Sequence, residues 1–317
     1  MKIALWARRI GLALLLAWAA FILGWAPWFM AGIATTRRFQ FPDRENAGLT
    51  PQSFELAYED VAFQSSDGVP LKGWWVPAQN PKGSVVLVHG LNRSRIEMVR
   101  KVPFVVREGW NALLFDLRHH GESGGDSTTL GAKEKQDVKA ALALARAKSQ
   151  APVVLWGVSL GGASATLAAS EDRDVSGLVC DSSYRSLRDT VSHHVAMARG
   201  FRWWTRLIPR WPAADAAVFW IGRRGGFDPD QVDVLAAARK LNGRPALFVC
   251  NSDDRRMPKE IAFELKDAAG PRARVLVVPG TSHGGAYRDA TAAYEHAVAG
   301  LLSEAAGGAS EQRLASR

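Results

Sequence analysis

Between residues 84 and 302 the chain repeats one pattern, a short unbroken apolar run followed by a longer segment of helical composition. The runs are 84–88 (SVVLV), 110–116, 153–157, 175–180, 244–250 and 272–278; the helical segments are 95–107, 130–148, 160–170, 258–269 and 286–302. An apolar run without polar alternation reads as a strand covered on both faces. Strands joined by helices of this length make βαβ units, whose right-handed crossovers place helices on both faces of a parallel sheet. Two further strand-like segments, 54–63 and 71–77, come first and are joined by a Ser65-Ser66-Asp67-Gly68 turn. The expected class is α/β with a mostly parallel, doubly wound sheet. The alternation breaks over residues 184–241, and 58 residues are too many for a plain loop in a compact domain. That segment should be a helical insertion acting as a cap or lid.

Residues 10–36 carry no charged side chain, a run of 27 residues. A membrane-spanning helix needs about 20. Lys2, Arg8 and Arg9 precede the run, and Arg37 and Arg38 follow it. With the terminal amine, the leading flank is the more positive, which orients the N-terminus inward and the rest of the chain to the extracytoplasmic side. A cleaved signal peptide competes, but its apolar region is usually about 7–15 residues, and the small-residue site at 24–26 is followed by Pro27. Trp25 and Trp28 suit an interfacial belt. The expected organisation is a membrane anchor (or signal peptide) over 1–38, a linker over 39–53, the main domain over 54–303 and a flexible tail over 304–317.

The strongest local signal is Gly157-Val158-Ser159-Leu160-Gly161-Gly162, a G-x-S-x-G pattern between a predicted strand and an Ala-rich predicted helix. In that context the serine sits on a sharp strand-to-helix turn, and the flanking glycines let strand and helix approach without Cβ clashes. A nucleophilic serine needs a base and a group to orient the base. Of seven histidines, His283 lies in the Gly-rich loop Pro279-Gly280-Thr281-Ser282-His283-Gly284-Gly285 after the last strand, at the sheet edge that the serine shares. His89 and His120 are expected to shape turns, and His193, His194 and His296 to be packing or surface residues. Asp253 and Asp254, after the run 246–250, can each reach the imidazole. Asp181 is a third candidate, more readily a capping residue. No histidine spacing makes a metal-ligand trio, and neither a metal nor a cofactor is called for.

With these segments the chain resembles the α/β-hydrolase-fold serine hydrolases, above all the membrane-anchored bacterial type with a short cap, and it is similar to the prolyl-oligopeptidase-like branch. The matching segments are LVHGLNRSRIEM (87–98), LLFDLRHHGESGG (113–125), TLG (129–131), GVSLGG (157–162), DSSY (181–184), NSDDRRMP (251–258) and PGTSHGG (279–285), which bracket most of the chain outside the anchor. The resemblance implies a triad of Ser159, Asp254 and His283. The family acid stands three residues after a glycine, a place Asn251 takes here, and this points to Asp254 over Asp253. It also implies an oxyanion hole from the backbone N–H groups of Leu91 and Leu160. The implied chemistry is hydrolysis of a carboxylic ester or thioester, lipid or acyl-chain substrates included, through an acyl-enzyme and without a cofactor. Serine peptidase activity is a subordinate variant, and a membrane-tethered binding or scaffolding protein on the same fold is the alternative.

Hydrophobic content of 47% and charged content of 22% exclude a disordered chain, and two cysteines exclude a disulfide scaffold. Cys180 and Cys250 are expected as buried free thiols. The net charge of +9 is concentrated: residues 193–226 hold six arginines against Asp215 alone, interleaved with Phe201, Trp203, Trp204, Trp211, Phe219 and Trp220. No recognition motif accompanies this charge, so nucleic acid is not an expected partner. A cap that buries its tryptophans and one that lies on the membrane both fit the pattern. The oligomeric state is not legible.

Overall fold

The computed structural model describes residues 2–36, 43, 45–149, 151–200, 205, 206 and 208–315. Among these, eight strands form one sheet: β1 (Glu59–Gln64), β2 (Pro70–Val76), β3 (Gly83–Val88), β4 (Trp110–Phe115), β5 (Val153–Val158), β6 (Val175–Asp181), β7 (Ala246–Asn251) and β8 (Ala273–Val278). Their order is β1-β2-β4-β3-β5-β6-β7-β8. The β1–β2 and β2–β4 pairs are antiparallel and all others parallel. The fold is therefore the α/β-hydrolase fold with a mostly parallel sheet.

Every residue of β3, β4, β5 and β7 is buried, as their unbroken apolar runs require. Successive side chains feed opposite faces. Leu155 packs with the cluster under α4 (Glu134–Lys148), α5 (Leu160–Glu171) and α9 (Glu260–Ala269), whereas Val154 and Trp156 pack with the cluster under α3 (Val102–Arg107) and the terminal helices. The sheet is thus wound on both sides.

Several boundaries depart from the sequence reading. Residues 51–54 form a 3-10 turn, and the first strand begins only at Glu59. Residues 95–101 are a 3-10 turn leading into α3. The helix expected from 130 starts at Glu134, because the buried Glu134 carboxylate folds the preceding loop around itself. It accepts the Thr128 and Thr129 hydroxyls and the Thr129 and Gly131 amides, at 2.7–2.8 Å. The tail expected to be flexible from 304 continues α11 (Thr291–Ala315), which follows the short α10 (Ala286–Asp289). Leu301, Leu302 and Ala305 are buried along one face of α11 and hold it to the domain.

The insertion between β6 and β7 is helical: α6 (Leu187–Ala198), α7 (Arg210–Gly225) and α8 (Val234–Arg239). The last of these is not cap. Val234, Ala237 and Ala238 are buried in the sheet-side cluster with α5 and α9, so α8 is the crossover helix and the cap proper is α6 and α7. The base of the cap is pinned where Leu187 N–H donates to Val232 O at 3.0 Å. Phe201, Arg202, Trp203 and Trp204 lie outside the described residues, as do Arg37 and Arg38.

At the N-terminus α1 (Lys2–Ala20), a π turn (Phe21–Trp25) and α2 (Ala26–Thr35) run as one helix. The segment Ala4–Thr35 is long and apolar enough to cross a membrane. The expected boundary at 38 and the start of the expected linker at 39–42 lie outside the described residues, and the end of the helix before them packs against the domain. Ala31, Gly32 and Thr35 are buried, Ala31 packs in the same cluster as Ile221 of α7, and Thr35 O accepts the Thr128 amide at 2.8 Å. Only the leading part, up to Phe21, stands almost wholly exposed.

Candidate active site

Four strand ends converge at the carboxyl edge of the sheet. Ser159 follows β5 with φ 53° and ψ −114°, a backbone conformation that non-glycine residues rarely adopt. Such a residue costs on the order of 1–3 kcal/mol and persists only where its surroundings fix it. Here Ser159 N–H donates to Asp181 O at 2.8 Å, and Ser159 O accepts Ala163 N–H at 3.0 Å to start α5. The flanking glycines are needed for space. A Cβ on Gly157 would stand 2.2 Å from Gly161 O, and one on Gly161 would stand 2.2 Å from Val88 O. The tight turn between β5 and α5 is the structural content of the G-x-S-x-G spacing.

His283, in the loop after β8, has Nε2 2.9 Å from Ser159 Oγ and Nδ1 2.7 Å from Asp254 Oδ2. A carboxylate only accepts, so Nδ1 carries the proton and Nε2 is free to accept from the serine hydroxyl. Asp254 is buried, and its Oδ1 accepts the amides of Arg256 at 2.8 Å and Met257 at 3.2 Å. The other two candidate acids point elsewhere. Asp253 is exposed and accepts from the Ser252 hydroxyl. The Asp181 carboxylate accepts the Ser182 hydroxyl at 2.8 Å and the Tyr294 hydroxyl at 3.0 Å, and burial pushes its pKa up. Asn251 closes β7 in strand conformation, so the glycine usual at that place is not required here.

The loop after β3 carries Leu91 beside the serine and is held by three side chains. Glu97 Oε2 accepts the Gly90 amide at 2.7 Å. His89 donates from Nδ1 to Gly90 O at 2.7 Å and accepts the Leu117 amide at Nε2 at 3.0 Å. His120 donates from Nδ1 to Arg118 O at 2.7 Å and accepts the Asn92 amide at Nε2 at 3.0 Å. Burial and their mutual proximity lower the pKa of His89 well below its ordinary value, and burial lowers that of His120. Among the described residues, neither the Leu91 nor the Leu160 amide donates to a protein acceptor. The structure brings Ser159, Asp254, His283, Leu91 and Leu160 to one edge of the sheet.

Ser159, Leu91, Leu160 and His283 line a cavity of about 580 Å³, within the range usual for small-molecule sites. Much of the wall is apolar and comes from the cap, through Leu187, Val191, Val195, Ala213 and Ile221, and from the N-terminal helix. The polar part of the wall includes Asn92, Arg93, Glu97, Thr190, His194 and Arg256. Sequence reading assigned none of these to the cavity and placed His194 as a surface or packing residue. Asn92, Arg93 and Glu97 come from the segment after β3, Thr190 and His194 from α6 and Arg256 from the segment after β7, and no local spacing assigns them to one cavity.

A model of the alpha/beta hydrolase family matches residues 85–297. The chain is 27% identical over 238 residues to the uncharacterized protein YqkD of Bacillus subtilis, covering 72% of this chain and 74% of that protein. It is 25% identical to the uncharacterized protein YfhR of Escherichia coli over 51% of this chain, a match that spans only 58% of that relative. Among solved structures, an esterase of Pyrococcus furiosus superposes with a TM-score of 0.66 at 23% identity, covering 84% of this chain and 97% of the other. An esterase from Exiguobacterium antarcticum superposes with a TM-score of 0.57 at 16% identity, covering 77% of this chain and all of the other. At these identities the two solved structures speak to the fold.

Proposed function

Because the chain belongs to the alpha/beta hydrolase family, we propose that it is a serine esterase, cleaving a carboxylic ester or thioester with an apolar acyl part through an acyl-enzyme. One observation carries this reading, the unbroken hydrogen-bonded chain from Ser159 Oγ through the His283 imidazole to Asp254, at 2.9 and 2.7 Å, opening into an apolar cavity. The esterases among its structural neighbours support the same class.

In this reading Ser159 Oγ attacks the carbonyl carbon while His283 Nε2 takes its proton. The imidazolium then gives that proton to the leaving oxygen or sulfur, and water repeats the sequence to release the acid. Asp254 holds the imidazole with Nδ1–H toward itself, so that Nε2 faces the serine, and stabilises the imidazolium. The amides of Leu91 and Leu160 bind the oxyanion of the tetrahedral intermediate. Each such donor contributes about 3–4 kcal/mol in sites of this kind. Because the donors are backbone groups, their two leucine side chains need only leave the hole open.

The leading apolar segment is proposed as a retained membrane helix with the catalytic domain on the extracytoplasmic side. The burial of Ile22 and the hydrogen bond from Trp220 Nε1–H to Leu23 O, both on the N-terminal side of the small-residue site, support retention over cleavage at 24–26.

The test is covalent labelling of membranes expressing the full chain with a fluorophosphonate probe, beside Ser159→Ala and His283→Ala. Labelling of the wild type that both substitutions abolish is the expected result. A folded wild-type protein that does not label overturns the reading and brings the binding-protein alternative forward.

A further inference from the structure

We propose that the N-terminal helix is part of the substrate site: Ile22, Ala26, Met30 and Ala34 form one wall of the acyl cavity, and the cavity takes its acyl chain from a membrane lipid ester through a rim at the bilayer surface. This rests on the serine-esterase reading of Ser159 and adds the substrate class.

The four residues recur at every fourth position and so share one face of a helix. All four line the same cavity as Ser159 and His283. The wall is built into the domain. Pro27 has no N–H to offer the Leu23 carbonyl four residues back, and Trp220 Nε1–H of the cap donates to that carbonyl at 3.1 Å. The Arg224 guanidinium lies 4.4 Å from the centre of the Trp28 ring. Gly32 makes room for it, since a Cβ there would stand 2.7 Å from Arg224 Cζ. Cap and helix therefore form one body around the cavity, and removing the first 26 residues would strip Ile22 and Ala26 from its wall.

The rim is located by Met30, which lines the cavity and is nevertheless 58% exposed. On the helix Trp25, Phe29 and Ile33 are exposed, and on the cap Trp211 and Phe219 are exposed. Trp25 stacks on Phe21 and Phe29, with centroids 5.4 and 5.3 Å apart. Exposed apolar surface of this extent, continuous with a membrane-length helix, belongs against lipid. Tryptophans at such a boundary suit the headgroup layer, and the exposed Arg210 and Arg223 suit anionic headgroups. A lipid ester can then pass its chain along the helix stripe while its carbonyl reaches Ser159, without crossing water.

The full chain in phosphatidylcholine vesicles tests this with p-nitrophenyl acetate and p-nitrophenyl dodecanoate. Ala26→Phe and Ala34→Phe should each lower the dodecanoate-to-acetate ratio of kcat/KM by about tenfold or more, because each methylene kept out of the cavity forfeits about fourfold in binding. Leu15→Phe, on the exposed leading part of the same helix away from cavity and rim, should leave the ratio unchanged. An unchanged ratio in both alanine variants, with acetate still turned over, overturns the proposal and leaves the esterase reading intact. A wild type that hydrolyses neither ester and takes no fluorophosphonate overturns that reading instead. A second measurement needs no variant. A dodecyl fluorophosphonate with a terminal diazirine, attached to Ser159 and photolysed, should cross-link to the peptide holding residues 22–34. Cross-links confined to the sheet or to solvent-facing loops overturn the proposal.

Discussion

Replacing Asp254 by asparagine isolates what the carboxylate does. Oδ1 of Asp254 accepts two backbone amides, from Arg256 at 2.8 Å and Met257 at 3.2 Å. An asparagine there keeps those bonds only with its amide oxygen at the Oδ1 place, which puts the NH2 group where Oδ2 now stands, 2.7 Å from His283 Nδ1. That NH2 donates, so Nδ1 must accept, and the imidazole proton moves to Nε2. Nε2–H then faces Ser159 Oγ as a donor and cannot take its proton. The fold should be undisturbed, because both backbone bonds survive. The expected loss in kcat is about 10⁴, the size that a wrong tautomer carries in this kind of triad, or about 5.5 kcal/mol of transition-state stabilisation. The assay is p-nitrophenyl acetate hydrolysis with Asp253→Asn and Asp181→Asn in parallel. Asp253→Asn should retain wild-type kcat, since among the described residues its carboxylate engages only Ser252. Asp254→Asn within tenfold of wild type, or Asp253→Asn falling as far, would refute the reasoning about which acid orients the base.

Gly161→Ala drives a Cβ to 2.2 Å from Val88 O in the centre of the sheet; it should cost about 1–3 kcal/mol in thermal unfolding and lower fluorophosphonate labelling by about 100-fold through displacement of the serine. Retention of both would show that the turn is not confined as described. Glu97→Ala strips the Gly90 amide of its acceptor and should lower kcat by about 10- to 100-fold with little change in KM, because a loosened loop aims the Leu91 amide less well; Glu97→Gln should recover most of it, and equal losses in both variants would count against a positioning role. His89 and His120 each accept a backbone amide at Nε2, so nitrogen-resolved NMR should find both neutral with the proton on Nδ1 at pH 6.5, and an imidazolium at either position would refute the assignment. Since their pKa values are lowered on folding, the stability tied to this pair is full above about pH 6.5 and declines as pH falls toward the folded values.

The parts of this molecule that were legible in sequence are those whose physics is local. A strand buried on both faces must be apolar throughout, so β3, β4, β5, β6 and β7 announce themselves. A serine on a strained turn must be flanked by glycines, because only glycine at 157 and 161 avoids the neighbouring carbonyl oxygens. Asp254 needed a resemblance to be chosen over Asp253, since adjacent carboxylates differ only in which backbone amides lock them, and that is set by the turn through Met257. The start of α4 was misplaced because Glu134 spends its carboxylate on the loop before it. A side chain spent on the loop just before its helix leaves no periodic trace. The same limit accounts for the cavity. Its catalytic end is built by strand termini brought together by sheet order, whereas its apolar end joins a segment before residue 36 to an insertion after residue 186. A helix that is apolar on every side satisfies a membrane and a cavity wall alike. The small residues Ala26, Gly32 and Ala34 therefore look like ordinary lipid-facing positions until Trp220 and Arg224 are seen reaching across to hold the helix against the cap. Composition reports what surrounds a segment on average, and only packing separates the face that meets lipid from the face that meets the cavity.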